Sequence, residues 1–354
     1  MKIQDLSATR MARLRRLVKK EGLDGYVTVS ATEQRYLSGI ELSAGEAVFL
    51  ITPQKAYCIT KVLIVPKMAP ARAFLKSEAV PFGTMLAGAV EKAAKLHLKK
   101  VAFDPEFVDL ASGEILLKAK FERREGFVSR LRMGKDKDEV AKLRKACQIA
   151  WESFHEIKPK IKTGITEEEV RILMAVAMHK RGADSVPFNI VCFGENTADA
   201  HHTPSKTRKL KKSEAVLMDF GCFYEGYTSD MTRSWWHGEA VPAQYQQIWN
   251  IVDKARRAGV KALRAGVTAG AIDKAARDVI TAAGYGKEFF HTTGHGIGLV
   301  VHDAPILRSG SQAVLPENAV VTVEPGIYFE GKWGIRLEDS FLVTKTSSKK
   351  LTQK

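Results

Sequence analysis

The chain has 354 residues, 45% of them hydrophobic and 27% charged, with a formal net charge of +15. This is the balance of an ordinary soluble globular protein long enough for two domains, with no short-period repeat or low-complexity tract. No run approaches the roughly 18 apolar residues of a membrane span, and Met1-Lys2-Ile3-Gln4-Asp5 lacks the apolar core of a signal peptide, so a cytoplasmic location is expected and a membrane is not.

In chain order, residues 13–21 read as a helix. Met11, Leu14, Leu17 and Val18 recur at helical spacing within the basic cluster 10–20, as on an amphipathic surface helix. Residues 25–30 and 47–51 read as strands, 84–98 as a helix and 101–103 as a strand, which together make an α/β pattern. A highly charged stretch follows, Arg130-Leu131-Arg132-Met133-Gly134-Lys135-Asp136-Lys137-Asp138-Glu139, and it marks a domain boundary. A helix is expected at 139–158, and Thr166 is placed to cap another that runs to residue 181. Further helices are expected near 242–264 and 268–283. Cys58, Cys147, Cys192 and Cys222 form no Cys-x-x-Cys pair and read as buried free thiols. The second basic run, Lys206-Thr207-Arg208-Lys209-Leu210-Lys211-Lys212, has no aromatic RNA motif, helix-turn-helix signal or zinc finger beside it. Nucleic acid is therefore not expected as a partner.

The chemistry is concentrated in two hairpin-like segments. Residues 217–233 contain two strand-like runs separated by the polar turn Glu225-Gly226, and a turn centred between Tyr224 and Glu225 puts Asp219 directly opposite Asp230. Residues 322–339 repeat the arrangement. A tip at Gly331 puts Glu324 opposite Glu338. Acids opposed on a sheet repel, and burying them unpaired costs several kcal/mol or raises their pKa values, so a cation is expected between them. Between the hairpins lies His291-Thr292-Thr293-Gly294-His295-Gly296-Ile297-Gly298-Leu299-Val300-Val301-His302, in which glycines flanking His295 would let backbone approach a cation or substrate. Another pair, His201-His202, stands in a loop-like segment and reads as solvent-exposed on composition. Arg336, two residues before Glu338 on one strand, projects to the same face. It is placed either to hold a substrate carboxylate or to anchor the acids.

Asp219-Phe220-Gly221 with Gly226-Tyr227-Thr228-Ser229-Asp230-Met231-Thr232-Arg233, Thr293-Gly294-His295-Gly296-Ile297-Gly298, Glu324-Pro325-Gly326-Ile327-Tyr328 and Gly334-Ile335-Arg336-Leu337-Glu338-Asp339 occur in one order. That series resembles the proline-specific metallopeptidases, prolidase and aminopeptidase P, of the pita-bread creatinase and methionine aminopeptidase superfamily. Residues 1–130 look like the family's smaller domain, best in Arg35-Tyr36-Leu37-Ser38-Gly39. The resemblance implies an α/β (α+β) chain, with an N-terminal creatinase-like domain at 1–130 followed by a C-terminal pita-bread metallopeptidase domain at 131–354. It implies that Asp219, Asp230, His295, Glu324 and Glu338 hold two divalent metal ions, with Asp230 and Glu338 bridging both. His201 and His302 would then match the proton-shuttling or intermediate-stabilising histidines that meet substrate. A homodimer acting on proline-containing peptides is expected. Two departures stand out: Ala200 replaces the proline that commonly precedes the loop histidine, and Thr60-Lys61-Val62-Leu63-Ile64 stands where relatives often carry Asp-x-Arg-Tyr.

Amide hydrolysis at neutral pH needs a strong nucleophile and a stabiliser for the oxyanion, and two ions held by carboxylates supply both. Glu324 is the candidate to accept the water's proton and pass it to the leaving nitrogen. Four oxygen donors and one nitrogen fit manganese, cobalt, iron or zinc better than copper or calcium, and relatives point to manganese or cobalt. An Xaa-Pro dipeptidase is the leading expectation, with aminopeptidase P as the alternative. A catalytically silent RNA- or protein-binding member is disfavoured because every ligand is present.

Overall fold

The buried strands and amphipathic helices sort into two units, Met1–Arg132 and Met133–Lys354, in a computed structural model that describes residues 3–353. Among the described residues no helix is long and apolar enough to cross a membrane.

Unit 1 opens with α1 (Ile3–Lys20), which starts well before the expected residue 13. Leu6 extends the buried stripe of Met11, Leu14 and Val18 by another turn. The basic cluster is not wholly solvated, because Arg10 is buried, lies over the Tyr36 ring at 5.0 Å and donates to the Tyr36 carbonyl at 3.3 Å. Strand β1 (Gly25–Thr28) ends two residues short of the expected boundary. Ser30 caps α2 (Ala31–Ser38), and Gly39 closes that helix in the left-handed region at φ 72°. Next come β2 (Ala47–Ile51), β3 (Ala56–Thr60), β4 (Lys76–Ala79), α3 (Met85–Lys95), β5 (Val101–Phe103), α4 (Leu110–Lys118) and β6 (Glu122–Arg123). The strands form one mixed sheet in the order β4-β3-β2-β1-β5-β6. Val27, Val48, Leu50, Ile59 and Phe103 pack on one face against Met85, Ala89 and Ala93 of α3. Strand β2, Ala-Val-Phe-Leu-Ile, is buried throughout, as a central strand covered on both faces requires.

The boundary between the units falls in the short helix α5 (Ser129–Met133). Unit 2 begins with α6 (Lys137–Ile157) and α7 (Glu167–Lys180), each opened by a capping box, Asp136 with Glu139 and Thr166 with Glu169. They pack through Ile149, Phe154, Val170 and Met174 on a sheet of β7 (Ser185–Phe193), β8 (Glu214–Tyr224), β9 (Tyr227–Thr228) and β10 (Met231–His237). Helices α8 (Ala243–Ala262) and α9 (Ala269–Ala282) follow, near their expected positions. A second sheet runs β12-β11-β13-β16-β17, built from β11 (Gly294–Gly296), β12 (Asp303–Leu307), β13 (Val320–Val323), β16 (Asp339–Val343) and β17 (Ser348–Lys350). The ribbon of β14 (Gly326–Phe329) and β15 (Trp333–Arg336) interrupts that sheet between β13 and β16. Cys58, Cys147, Cys192 and Cys222 are buried free thiols.

Within unit 1, Glu33 is buried and accepts from the Tyr26 hydroxyl at 3.1 Å. Burial pushes its carboxyl up to about 7 from an ordinary 4.5. The folded state therefore binds a proton that the unfolded chain releases, so stability falls as pH rises from about 4.5 to about 7 and then levels, by roughly 3 kcal/mol in all. Glu33→Gln should flatten this slope in the urea midpoint of unit 1, followed by pulse proteolysis because Trp151, Trp235, Trp236, Trp249 and Trp333 all lie in unit 2.

Candidate metal and active site

The first hairpin is shifted from its expected register. Strand β8 meets β9 and β10 with Tyr224 opposite Tyr227, Phe220 opposite Met231 and Asp219 opposite Thr232, so Asp219 and Asp230 are diagonal neighbours rather than direct partners. The turn is the residue pair Glu225-Gly226, both at positive φ (47° and 78°), which is the geometry of a tight two-residue hairpin. A shift of two residues keeps the side chains on the same face, so the acids still converge. The second hairpin has its tip as expected, with Gly326 opposite Arg336 in the ribbon and Val323 opposite Asp339 in the main sheet. Glu324 and Glu338 stand at the break between those two ladders.

Side-chain and backbone bonds stitch the two hairpins together. Glu338 N–H donates to the Thr232 carbonyl (3.3 Å), the Ser340 hydroxyl to the Asp230 carbonyl (2.8 Å) and the Ser234 hydroxyl to the Arg336 carbonyl (2.9 Å). Arg233 donates to the Glu338 carbonyl at 2.6 Å and to Asp339 at 2.9 Å. The result is a cavity of about 1270 Å³ whose wall includes Asp219, Asp230, His295, Glu324 and Glu338 together with His201, His302 and Arg336.

Donor atoms of Asp230, His295 and Glu338 lie within 4.8 Å of one another. His295 Nδ1 donates to the Gly296 carbonyl at 3.0 Å, which leaves Nε2 facing Glu324 at 3.3 Å and Asp230 at 3.5 Å. Burial raises the carboxyls of Asp230 and Glu338 well above the ordinary range, reinforced by their mutual charge and that of Asp219 and Glu324. Burial also lifts Glu324 to about 7 and lowers the basicity of His295. Among the described residues, Asp219 Oδ1 and Glu338 Oε1 are buried acceptors with no hydrogen-bond partner. Orphaned carboxylate oxygens beside an imidazole nitrogen aimed at the same space are the donor set a divalent cation needs, so the residues fit the group.

Arg336 is buried and occupied. It donates to Asp219 Oδ2 (2.6 Å), the Tyr328 hydroxyl (2.8 Å), Thr232 Oγ1 (3.1 Å) and the Ala200 carbonyl (3.4 Å). Of the two placements open to it, this is the anchoring one. Thr232 passes the contact on by donating to Glu338 at 2.6 Å, and Thr322 donates to Glu324 at 3.2 Å. The Tyr328 hydroxyl in turn meets His291 Nε2 at 2.9 Å.

The loop histidines divide. His202 Nε2 lies 2.8 Å from the buried carboxylate of Glu167, which also takes the amides of Phe193 and Ser205 and the side chain of Asn196. His201 is exposed and lines the cavity. Glu167 was missed in sequence because it stands in the first turn of α7, where an acid is explained by the helix N-terminus alone. His302 lies tilted beside His295 with ring centroids 4.3 Å apart, and burial lowers its basicity.

The glycines around His295 allow close approach of neighbouring strands. A Cβ on Gly294 would lie 2.2 Å from the Thr322 carbonyl oxygen, and one on Gly296 would lie 2.2 Å from that of Ala304. Cys222, near Asp219 in sequence, is buried, and burial raises its thiol to about 12, which removes the thiolate a redox role needs. In the second basic run, Arg208 is paired with Glu195 and Glu214.

Four carboxylates on two stitched hairpins and His295 of β11 converge on one cavity in a mixed α/β chain. Residues 141–345 match metallopeptidase family M24 and residues 10–133 match the Creatinase/Prolidase N-terminal domain. The chain belongs to metallopeptidase family M24, whose members use divalent metals. It is 31% identical over 349 residues to the uncharacterized peptidase YqhT of Bacillus subtilis, covering 97% of each chain. Among solved structures it is similar to an Xaa-Pro dipeptidase from Bacillus anthracis (33% identity, TM-score 0.91, 98% of each chain) and an X-Pro aminopeptidase from Thermotoga maritima (31%, TM-score 0.85, 97% of each chain).

Gly296→Ala forces the backbone at Ala304 to move and should cost about 1–3 kcal/mol. Urea unfolding followed by tryptophan fluorescence, which reports unit 2, measures it.

Proposed function

We propose that the protein is a dinuclear metal-dependent peptidase that hydrolyses Xaa-Pro bonds, of the Xaa-Pro dipeptidase type. The observation that carries the reading is the convergence of Asp219, Asp230, His295, Glu324 and Glu338 on one cavity, with two buried carboxylate oxygens left unpartnered. Four oxygens and one nitrogen suit manganese or cobalt, with zinc or iron next. Bound there, divalent ions would lower the pKa of a water and polarise the scissile carbonyl.

The chain's own groups carry the remaining steps. Glu324, a cage carboxylate that can exchange between cation and proton, is placed to accept a proton from water and deliver it to the leaving nitrogen, which is tertiary in an Xaa-Pro bond and must be protonated. His201 and His302 line the cavity beside the cage, where imidazole N–H groups can hold negative charge developing on the carbonyl oxygen. Arg336 fixes Asp219 and Thr232 fixes Glu338, so the donors need no rearrangement when substrate arrives.

The names of the similar structures support a proline-containing peptide as substrate. A short one is supported by Arg308. This exposed residue lines the cavity, and among the described residues its side chain makes no hydrogen bond or ion pair, whereas Arg277 is held by Asp273 and Arg336 by Asp219. A free guanidinium there suits the carboxylate of a dipeptide. The likeness to the Thermotoga maritima aminopeptidase supports the second reading, aminopeptidase P.

Chelator-treated protein should be inactive and should regain Ala-Pro hydrolysis on adding manganese or cobalt. Asp230→Asn should stay at least on the order of a hundredfold below the parent after the same treatment. Metal-independent hydrolysis would refute the reading. Arg308→Ala should raise KM for Ala-Pro by about 10- to 100-fold with little change in kcat, the loss of one charge-assisted bond made equally in ground and transition states. If hydrolysis of Ala-Pro-Pro peptides is the better reaction and is indifferent to Arg308, the aminopeptidase reading replaces the dipeptidase one.

A further inference from the structure

His302 lies in a short loop, residues 297–302, between β11 and β12, and what fixes that loop is buried beneath it. Gly296 pairs with Asp303 at the loop's base, after a register shift from the His295–Ile306 pair. The Asp303 carboxylate uses Oδ1 to accept the N–H of Ala304 at 2.8 Å and turns Oδ2 toward Lys135 Nζ at 3.8 Å. The two side chains are only 4% and 1% exposed. On the other side of the loop, Gly298 lies flat against the same pair: a Cβ added there would sit 2.9 Å from Asp303 Oδ2 and 3.4 Å from Lys135 Cε and Nζ. Lys135 itself is tied to the fold by its N–H, which donates to the Asn318 carbonyl at 3.0 Å.

A buried ion pair at this separation contributes little net stability, because taking both charges out of water costs about as much as their attraction returns, while removing one partner alone leaves an uncompensated buried charge. Its position is more informative than its energy. Gly298 within the loop that presents His302 and Asp303 at the strand that ends it both lie beside one ammonium group. The pair therefore sets where His302 stands relative to His295, whose ring is 4.3 Å away.

We propose that Lys135 is a positioning residue for His302, acting through Asp303. This rests on the reading of His302 as a group that meets the substrate. Lys135 touches neither substrate nor cation, so its removal should leave the cage and the affinity for substrate intact and displace one imidazole.

The test uses the full metal-loaded chain with Lys135→Met and with the double variant Lys135→Met/Asp303→Asn, which removes both charges of the pair. Both should lose about 10- to 100-fold in kcat for Ala-Pro, with KM within about twofold of the parent, and metal content by elemental analysis should not change. Neither should lose further activity when combined with His302→Ala. In protein labelled with 15N-histidine and loaded with diamagnetic zinc, the His302 imidazole signals, assigned with His302→Gln, should show one tautomer in the parent and averaged shifts in both variants. This readout stands even if the parent proves inactive toward Xaa-Pro peptides, an outcome that would overturn the functional reading and leave the positioning role to be judged by the imidazole signals. The proposal is overturned if the double variant keeps kcat within about twofold with unchanged His302 signals. It is overturned too if its loss adds fully to that of His302→Ala, or if the double variant fails to fold, since the pair would then be a structural strut.

Discussion

Four carboxylates converge in a largely buried cage where Arg336 is bonded to Asp219, and much of unit 2 is arranged around that imbalance. At an effective dielectric of about 20, two like charges 4 Å apart repel by roughly 4 kcal/mol, several times what a surface ion pair contributes. Arg336 offsets only part of this, because its guanidinium is spent on Asp219 and its neighbours. Burial keeps His295 from helping as a cation. The remaining repulsion appears as raised carboxyl pKa values and as oxygens that no donor of the chain reaches. A bound cation is the missing term in that electrostatic sum.

Holding such groups together requires a rigid frame, and it comes from two hairpins that share hydrogen bonds along residues 230–234 and 336–340. Each hairpin is backed by its own helix pair. Helices α6 and α7 cover the first through Phe154, Val170 and Met174, while Ile248 and Val252 of α8 with Ile280 of α9 cover the second beside Ile327 and Ile335. Side-chain hydroxyls do much of the fine placement. Thr232 and Thr322 each orient one acid, and a valine of the same shape would leave that acid short of a donor.

Much of this was legible in the chain itself. The Glu-Gly turn, the Gly331 tip and the period-two spacing of acids revealed two hairpins with acids on one face, and the capping pattern at Thr166 marked the start of α7. The register of the first hairpin was off by two residues, because the turn was centred between Tyr224 and Glu225 rather than between Glu225 and Gly226. An error of two is harmless to the face, whereas an error of one would have turned Asp219 outward. What could not be read was long-range. The clasp of Glu167 on the His202 loop, the Tyr328–His291 contact and the Lys135–Asp303 pair each join residues far apart in sequence, through side chains that are individually unremarkable. In unit 1 helix α2 was missed because its buried face includes Glu33, Gln34 and Ser38, which break the apolar stripe that helical periodicity needs.

The cage draws its donors from Asp219 through Glu338, and this has a kinetic side. No partial fold that lacks the last hairpin contains the site, and contacts of such wide sequence separation form late because loop-closure entropy must be met first. A cation that recognises the complete cage has no comparable foothold on the unfolded chain, so its affinity is added to the stability of the finished fold by mass action. Occupancy of the site would then act as a latch on the final docking step, slowing the reopening of the hairpin that arrives last.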